Sequence, residues 1–430
     1  MSEPLQAERS VRLDSLAEID PEALRVSTSP RHKFKYVDIS CASNGKLTLP
    51  SDFIEFADAP SRARKILRNG DLIVSTVRPN LKAFAYCRLA DGPYIASTGF
   101  AVLRARENVD AYFLLSALLS DDLSKQIESH AVGSNYPAIN SADIRRLRIP
   151  AFDSKTQSAI GKVLATIDTA IEQTEALIEK YQHIKAGLMH DLFTRGVLPT
   201  GQLRPPREQA PELYQATAIG WIPREWSLHR LNVVADVIDP NPSHRNPIYH
   251  PAGFPFISTV EFIENDEVEI DTSRRVIEEI VEEQERRCNF SPKSIGFSRK
   301  GTIGEIRFLP TGIRFALLDS LCVINPRVIN ASYLFHSLRS ECLTRQSKNM
   351  TMGQALPQVS IGRVRDLLVP LPDADEQTRI EDRLDAVVLA IKGQSEQKSK
   401  LRRQKLGLMQ DLLTGKVRVT VDASPSEAVT

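Results

Sequence analysis

Between residues 156 and 194, Ile160, Val163, Leu164, Ile167, Ile171, Leu177, Ile178, Tyr181, Ile184, Leu188 and Leu192 recur at steps of three and four. That is the period of one face of an α-helix. Ile380, Leu384, Val387, Ile391, Leu401, Leu408 and Leu412 repeat the pattern in a second stretch. At about 1.5 Å per residue the first helix runs roughly 58 Å, longer than one domain's surface usually requires. Asp153 and Asp373 suit N-caps, each shortly after a proline (Pro150, Pro370) that a helix interior excludes. Thr174, Gln394 and Gln404 interrupt the apolar seams, which fits an antiparallel partnership better than a strong parallel zipper. Packing of each helix on its own globular unit is the other arrangement the pattern allows. Elsewhere the period shortens. Strands are expected near 71–76, 83–86 and 95–96, and again near 294–298, 303–308 and 315–318, with helices following at about 111–120 and 331–338. The fold class is mixed α+β, and the strand order is not legible.

The two helical stretches are copies. At a constant offset of 220, Pro150 meets Pro370, Asp153 meets Asp373, Gln157 meets Gln377, Ile160 meets Ile380, and Gly187-Leu188-Met189 meets Gly407-Leu408-Met409. Tyr36 with Phe256 and Gly133 with Gly353 extend the repeat more weakly. A duplicated chain follows. We expect a first α/β domain at 1–149, a long helix at 150–197, a linker at 198–220, a second α/β domain at 221–369, a second long helix at 370–417 and a disordered tail at 418–430. The helices are expected to pair as an antiparallel coiled coil through Ile160, Leu164, Ile167, Ile171, Ile178, Leu188, Ile380, Leu384, Val387, Ile391, Leu401 and Leu408, giving an internal pseudo-two-fold repeat.

Composition changes little: 430 residues, 42% hydrophobic and 25% charged, describe an ordinary globular chain of two or three domains. No apolar run approaches the ~18 residues of a membrane span and no signal-peptide core opens the chain, so a cytoplasmic protein is expected. Charge distribution says more than the formal net charge of +1. Nine Lys or Arg against two acids lie between Arg62 and Arg106, and seven against Glu305 alone lie between Arg286 and Arg314. Eleven acids precede the second cluster, between Glu261 and Glu285. A basic, turn-rich centre in each copy is the footprint of phosphate contact.

Within these centres, residues 78–82 and 298–304 look like hairpin loops able to enter a major groove. Candidate DNA contacts in the first copy are Arg64, Lys65, Arg68, Arg78, Asn80 and Lys82, together with Ser134, Asn135 and Tyr136 of a later loop. The second copy offers Lys293, Arg299, Lys300, Arg307 and Arg314, with Gln354 in the matching later loop. Lys65, Arg68, Lys82 and Arg314 are expected on phosphates, and Arg78, Arg299 and Lys300 at base edges.

Signatures of chemistry are missing. Asp239-Pro240-Asn241-Pro242 only superficially resembles the loop that holds a target amine in amino-methyltransferases, and it reads as a turn. Neither a phosphate-binding glycine loop nor a dinucleotide fingerprint occurs. Five cysteines without C-x-x-C spacing suggest neither disulfides nor zinc, and His183 and His190 lack metal-ligand spacing.

The openings at Ile149–Gln157 and Val369–Gln377, the endings Gly187-Leu-Met-His-Asp-Leu and Gly407-Leu-Met-Gln-Asp-Leu, and the stretches Gly220-Trp-Ile-Pro, Phe256-Ile-Ser-Thr and Arg299-Lys-Gly-Thr-Ile-Gly carry a resemblance. From about Arg12 to Val417 the chain resembles the specificity (S) subunit of Type I restriction–modification enzymes. The first helix opening departs from that pattern, with Thr156 where the family carries Glu. The resemblance implies a non-catalytic DNA-recognition subunit of a restriction system. Each target recognition domain would read one half of a bipartite, gapped double-stranded site, while the helices set the spacing. It implies two methyltransferase (M) subunits that supply DNA methylation and motor–nuclease (R) subunits, with S-adenosylmethionine, ATP and Mg2+ entering through those partners and no metal or cofactor on this chain. The alternatives are the specificity component of a combined methylase–nuclease system, a coiled-coil adaptor that binds no DNA, and a divergent DNA-modifying enzyme.

Overall fold

The computed structural model describes residues 10–133, 137–243, 247–263, 266–350 and 358–419. The chain forms two compact units. One comprises the described parts of 1–175 and 396–430, the other those of 176–395.

Each unit holds an α/β body, and the two share an antiparallel sheet of the same strand order; where the first body has the strand Ala63–Leu67, the second has the helix Glu278–Cys288. In the first, strands Ala17–Ile19, Phe100–Ala105, Leu72–Ser75 and Phe84–Tyr86 make an antiparallel sheet in that order. A second sheet orders Ile54–Glu55, Lys33–Val37, Tyr94–Ser97 and Ala63–Leu67, with Lys33–Val37 and Tyr94–Ser97 parallel. The second unit repeats the antiparallel sheet as Ala235–Ile238, Leu321–Pro326, Ile295–Ser298 and Ile306–Phe308. It repeats the parallel pair as Tyr249–Ile257 with Ala316–Leu317. Three helices follow each set: Ala111–Leu119, Asp121–His130 and Ser141–Arg146, then Ala331–Leu338, Glu341–Asn349 and Ile361–Arg365. Their first residues are again 220 apart. The expected strands and following helices are therefore present, and the mixed class holds.

The long helices run Ser154–Thr194 and Ala374–Leu413. Asp153 and Asp373 cap them as expected, accepting the backbone N–H of Thr156 at 2.9 Å and of Glu376 at 2.7 Å. Gln157 and Gln377, both 4% exposed, explain the duplicated motif. In the second unit Gln377 Oε1 accepts the backbone N–H of Asn330 at 2.8 Å, and its Nε2 donates to the Pro372 carbonyl at 3.0 Å. Gln157 makes the same pair of bonds with Asp110 at 3.3 Å and Phe152 at 2.8 Å. Each glutamine thus clips a long helix to the first residues of its body's helical layer. Leucine at either position strands a buried donor and a buried acceptor, so Gln377→Leu and Gln157→Leu are each expected to cost about 1–3 kcal/mol in urea denaturation. A loss within error of zero would show the clip to be idle.

The helices lie alongside one another and antiparallel within each unit. In the first unit Lys405 meets Asp168 at 2.7 Å and Arg402 meets Glu175 at 2.8 Å, positions rising on one helix as they fall on the other. Ile160 and Leu164 share a core with Met409, Leu412 and Leu413, against which Leu408 packs. In the second unit Ile380 and Leu384 share a core with Leu192 and Phe193, beside Leu188. Ile171 and Ile178 are buried, and Ile167, Val387, Ile391 and Leu401 are half-buried.

One expectation needs correction. Residues 198–220 are not a loose linker. Val197 and Ile219 are buried in the second unit's core, Tyr214–Thr217 pairs with Gly220–Pro223, and Arg204 is 3% exposed. The Pro- and Gly-rich composition marks turns that fold back rather than a free tether. Gly196, at φ +64°, ends the first long helix where a Cβ would lie 2.2 Å from Glu376 Oε1. Of the expected disordered tail, 420–430 lie outside the described residues.

Candidate nucleic-acid interface

In both units the basic hairpin packs against the chain that follows the later loop. In the first, the hairpin joining Leu72–Ser75 to Phe84–Tyr86 contains a short 3-10 turn, Pro79–Leu81. Arg78 and Lys82, on either side of it, have φ of 47° and 50°, a left-handed backbone uncommon for residues with side chains and frequent at functional sites. Val77 bridges Ala138, and the Arg78 N–H donates to the Pro137 carbonyl at 2.8 Å. Pro137 and Ala138, which follow the later loop, therefore sit against the hairpin. In the second unit the corresponding hairpin turns on Gly301 (φ +74°) and Gly304 (φ +87°). There Lys300 bridges Gln358, and the Val359 N–H donates to the Arg299 carbonyl at 2.8 Å. The corresponding segments, 137–138 and 358–359, meet the hairpins at the same place on the same sheet, and the hairpins are built with different turn chemistry.

The individual cations are arranged less simply than the charge count suggests. Arg78 and Asn80 are exposed on the first hairpin, and Lys293 is exposed in the second body. Lys65 pairs with Asp20 at 2.7 Å, and Arg68 with Glu22 at 2.8 Å. Lys82 donates to the Leu119 carbonyl at 2.9 Å. Arg64 lies over the Phe56 ring, 5.0 Å from its centre. Arg314 is held by Glu278 and by Glu285 at 2.9 Å, and Lys300 by Asp319 at 2.6 Å. Arg307 is buried and donates to the carbonyls of Ile306 at 2.8 Å and Ile263 at 2.9 Å. Arg299 is corrected outright. It is 3% exposed, beneath the loop rather than at its tip, with Asp239 at 3.3 Å. Ser134, Asn135, Tyr136 and Gln354 lie outside the described residues.

The basic centres are thus largely neutralised by acids distant in sequence. Arg104 pairs with Asp71 at 2.8 Å and also with Glu22, whose carboxyl it holds below its ordinary value. The acidic run ahead of the second cluster supplies Glu278 and Glu285 to Arg314, and Asp266 to Arg339 at 2.6 Å. Burial alone would raise the Asp266 carboxyl, but Arg339 and its neighbouring cations hold it below its usual range. Asp20 was not visible as an organiser. It also accepts the Val102 N–H at 2.9 Å and the Ser141 hydroxyl at 2.6 Å, and no spacing in the sequence signals that.

Among the described residues no group of three His, Cys, Asp or Glu is placed to hold a metal ion, and no helix is long and apolar enough to cross a membrane. Burial pushes the Cys288 and Cys322 thiols up to about 12.

Two bodies built on an antiparallel sheet of one strand order, each with a hairpin at the same place and each clipped by a glutamine to a long helix, define a tandem recognition scaffold. A family model for the Type I restriction modification DNA specificity domain matches residues 10–181 and again 223–402. The chain belongs to this family, as a Type I specificity subunit with two tandem recognition domains. The Type I restriction enzyme MjaVIII specificity subunit of Methanocaldococcus jannaschii is 24% identical over 328 residues, 72% of this chain and 71% of that one. The putative MjaX specificity subunit of the same organism is 23% identical over 334 residues, 74% and 71% of the two chains. The Type I S subunit from M. genitalium shares the fold at a TM-score of 0.56 and 17% identity, covering 94% of this chain and 95% of that one. A chain from a type I R-M system solved for its complex assembly and conformational transition reaches 0.54 at 23% identity, with 95% and 98% covered.

Proposed function

We propose that each recognition domain reads one half of a bipartite, gapped double-stranded DNA site, with the converging loops as its reading surface. The observation that carries this is the duplicated loop pair, alike in position and different in chemistry, which suits one asymmetric site read in two parts. The long helices act as a coiled-coil ruler between half-sites and as the docking surface for two methyltransferase subunits. Leu389 and Leu406 stand exposed on the second helix, 71% and 64% accessible. Methylation and cleavage belong to partner subunits, which bring S-adenosylmethionine, ATP and Mg2+, and the assembly works in the cytoplasm. The chain itself is a reader without chemistry of its own.

The test is helix length. An α-helix rises about 1.5 Å per residue, so inserting roughly four residues between Thr174 and Leu177 adds about 6 Å. At about 3.4 Å per base pair, the gap in the methylated motif is expected to change by one to two base pairs. Methylome sequencing of cells carrying the insertion reads this directly, and an active variant with an unaltered gap would remove the ruler.

A further inference from the structure

We infer that in the first unit the turn at residues 25–28, together with Arg62, continues the DNA-contacting rim, with Arg25 and Arg62 on phosphates and Val26 at a base edge. This rests on the reading above that the rim faces DNA.

The rim can be followed from bond to bond. The ends of strands Leu72–Ser75, Phe100–Ala105, Tyr94–Ser97 and Ala63–Leu67 lie side by side, buried beneath the loops that follow: Ser75 lies opposite Phe100, and Ser97 opposite Ala63. Just beyond those ends the Thr76 N–H donates to the Gly99 carbonyl, and the Thr98 N–H donates to the Arg62 carbonyl, both at 2.8 Å. A continuous line of backbone bonds therefore joins the reading hairpin, through Thr76 and Gly99, to Arg62. On the far side of that strand Ala23 bridges Lys65, and the Leu24 N–H donates to the Arg64 carbonyl at 2.7 Å. The chain at 23–25 runs antiparallel to 63–65, toward Arg62. There it reverses, the Thr28 N–H donating to the Arg25 carbonyl at 3.0 Å.

The side chains on this turn differ from the rest of the basic centre. Lys65, Arg68 and Arg104 are matched by Asp20, Glu22 and Asp71. Arg25 and Arg62 are exposed, and among the described residues neither guanidinium has an ion pair or hydrogen bond partner. Next to Arg25 on the turn stands Val26, 101% accessible. Its exposure adds nothing to folding, since a fully exposed aliphatic side chain buries no surface. Unpaired guanidinium groups release counterions when they meet phosphates, and an aliphatic tip on the same turn suits a thymine methyl in the groove. The occupant is DNA rather than an acidic protein because the same edge carries the reading hairpin.

The experiment uses this subunit assembled with its methyltransferase partners, titrated with cognate and scrambled duplexes across a salt series. Arg25→Ala and Arg62→Ala are each expected to weaken both duplexes about equally and to lower the salt slope by about one unit. Lys65→Ala, whose ammonium Asp20 engages, leaves the slope unchanged. Val26→Asp, at a position with no packing to lose, is expected to weaken cognate binding at least tenfold while the melting temperature stays put. Wild-type binding to the cognate duplex with unchanged slopes in both arginine variants overturns the extended rim and leaves the proposed function standing. A wild-type complex with no preference for the cognate duplex overturns both.

Discussion

Glu376→Ala is expected to lower the unfolding free energy by about 3–5 kcal/mol, because it leaves a guanidinium buried without its counter-charge. Glu376 and Arg204 expose 2% and 3% of their side chains. One carboxylate serves four donors: both Arg204 nitrogens, the Val197 N–H at 2.6 Å and Trp226 Nε1 at 3.0 Å. It joins the start of the second long helix to the end of the first and to the strands that follow. Glu225, the other partner of Arg204, is 75% exposed, so Glu225→Ala should change stability by no more than about 1 kcal/mol. Urea denaturation of the two variants separates the cases. Similar small losses in both would mean that water enters the Arg204 site and that the hub is not dry. The first copy has Thr156 in place of Glu376 and spends it on its own cap, the hydroxyl donating to Asp153 at 2.7 Å. The departure seen at that position in the sequence is the absence of this hub.

The scaffold was legible because duplication and periodicity are local properties of a sequence. Pro150 with Pro370, and Gln157 with Gln377, marked the helix openings to within a few residues of Ser154 and Ala374. Strand order was not legible, since the parallel pairing of Lys33–Val37 with Tyr94–Ser97 joins segments some sixty residues apart. Residues 198–220 were misjudged for a related reason. Prolines and glycines announce turns, but only the burial of Arg204 reveals that those turns fold back onto the second unit.

The reading surface was half legible. Turn residues and basic clusters located both hairpins, and the repeat located the later loops in the sequence, though not that the chain after them packs against the hairpins. Counting charges could not say which cations are free, because the acids that engage them lie elsewhere in the chain: Asp20 for Lys65, Glu22 for Arg68, Asp239 for Arg299. Arg299 and Lys300 are adjacent in sequence, yet one lies beneath the hairpin and the other only partly covered. Alternation along a strand sends neighbours to opposite faces, and the loop inherits that alternation.

Replacing residues up to about 151 by the corresponding segment of another family member is expected to change one half of the methylated motif completely. The other half and the gap between them should be retained. The two bodies share the strand order of their antiparallel sheets, yet the first builds its hairpin on left-handed Arg78 and Lys82 and the second on Gly301 and Gly304, so the proposed reading loops differ in chemistry. The junction tolerates exchange because of what Gln157 binds. One partner, the backbone N–H of residue 110, is a group that any donor body presents, and the other, the carbonyl of residue 152, stays with the helix. What the exchange disturbs is mostly exposed charge, such as Lys46 on Glu175, and such pairs contribute about 0–1 kcal/mol. The apolar contacts of Ile160, Leu164, Leu412 and Leu413 with the body need only hydrophobic partners of similar volume. Methylome sequencing of cells expressing the chimera gives the outcome, and a motif altered in both halves at once would show that the two domains do not read separately.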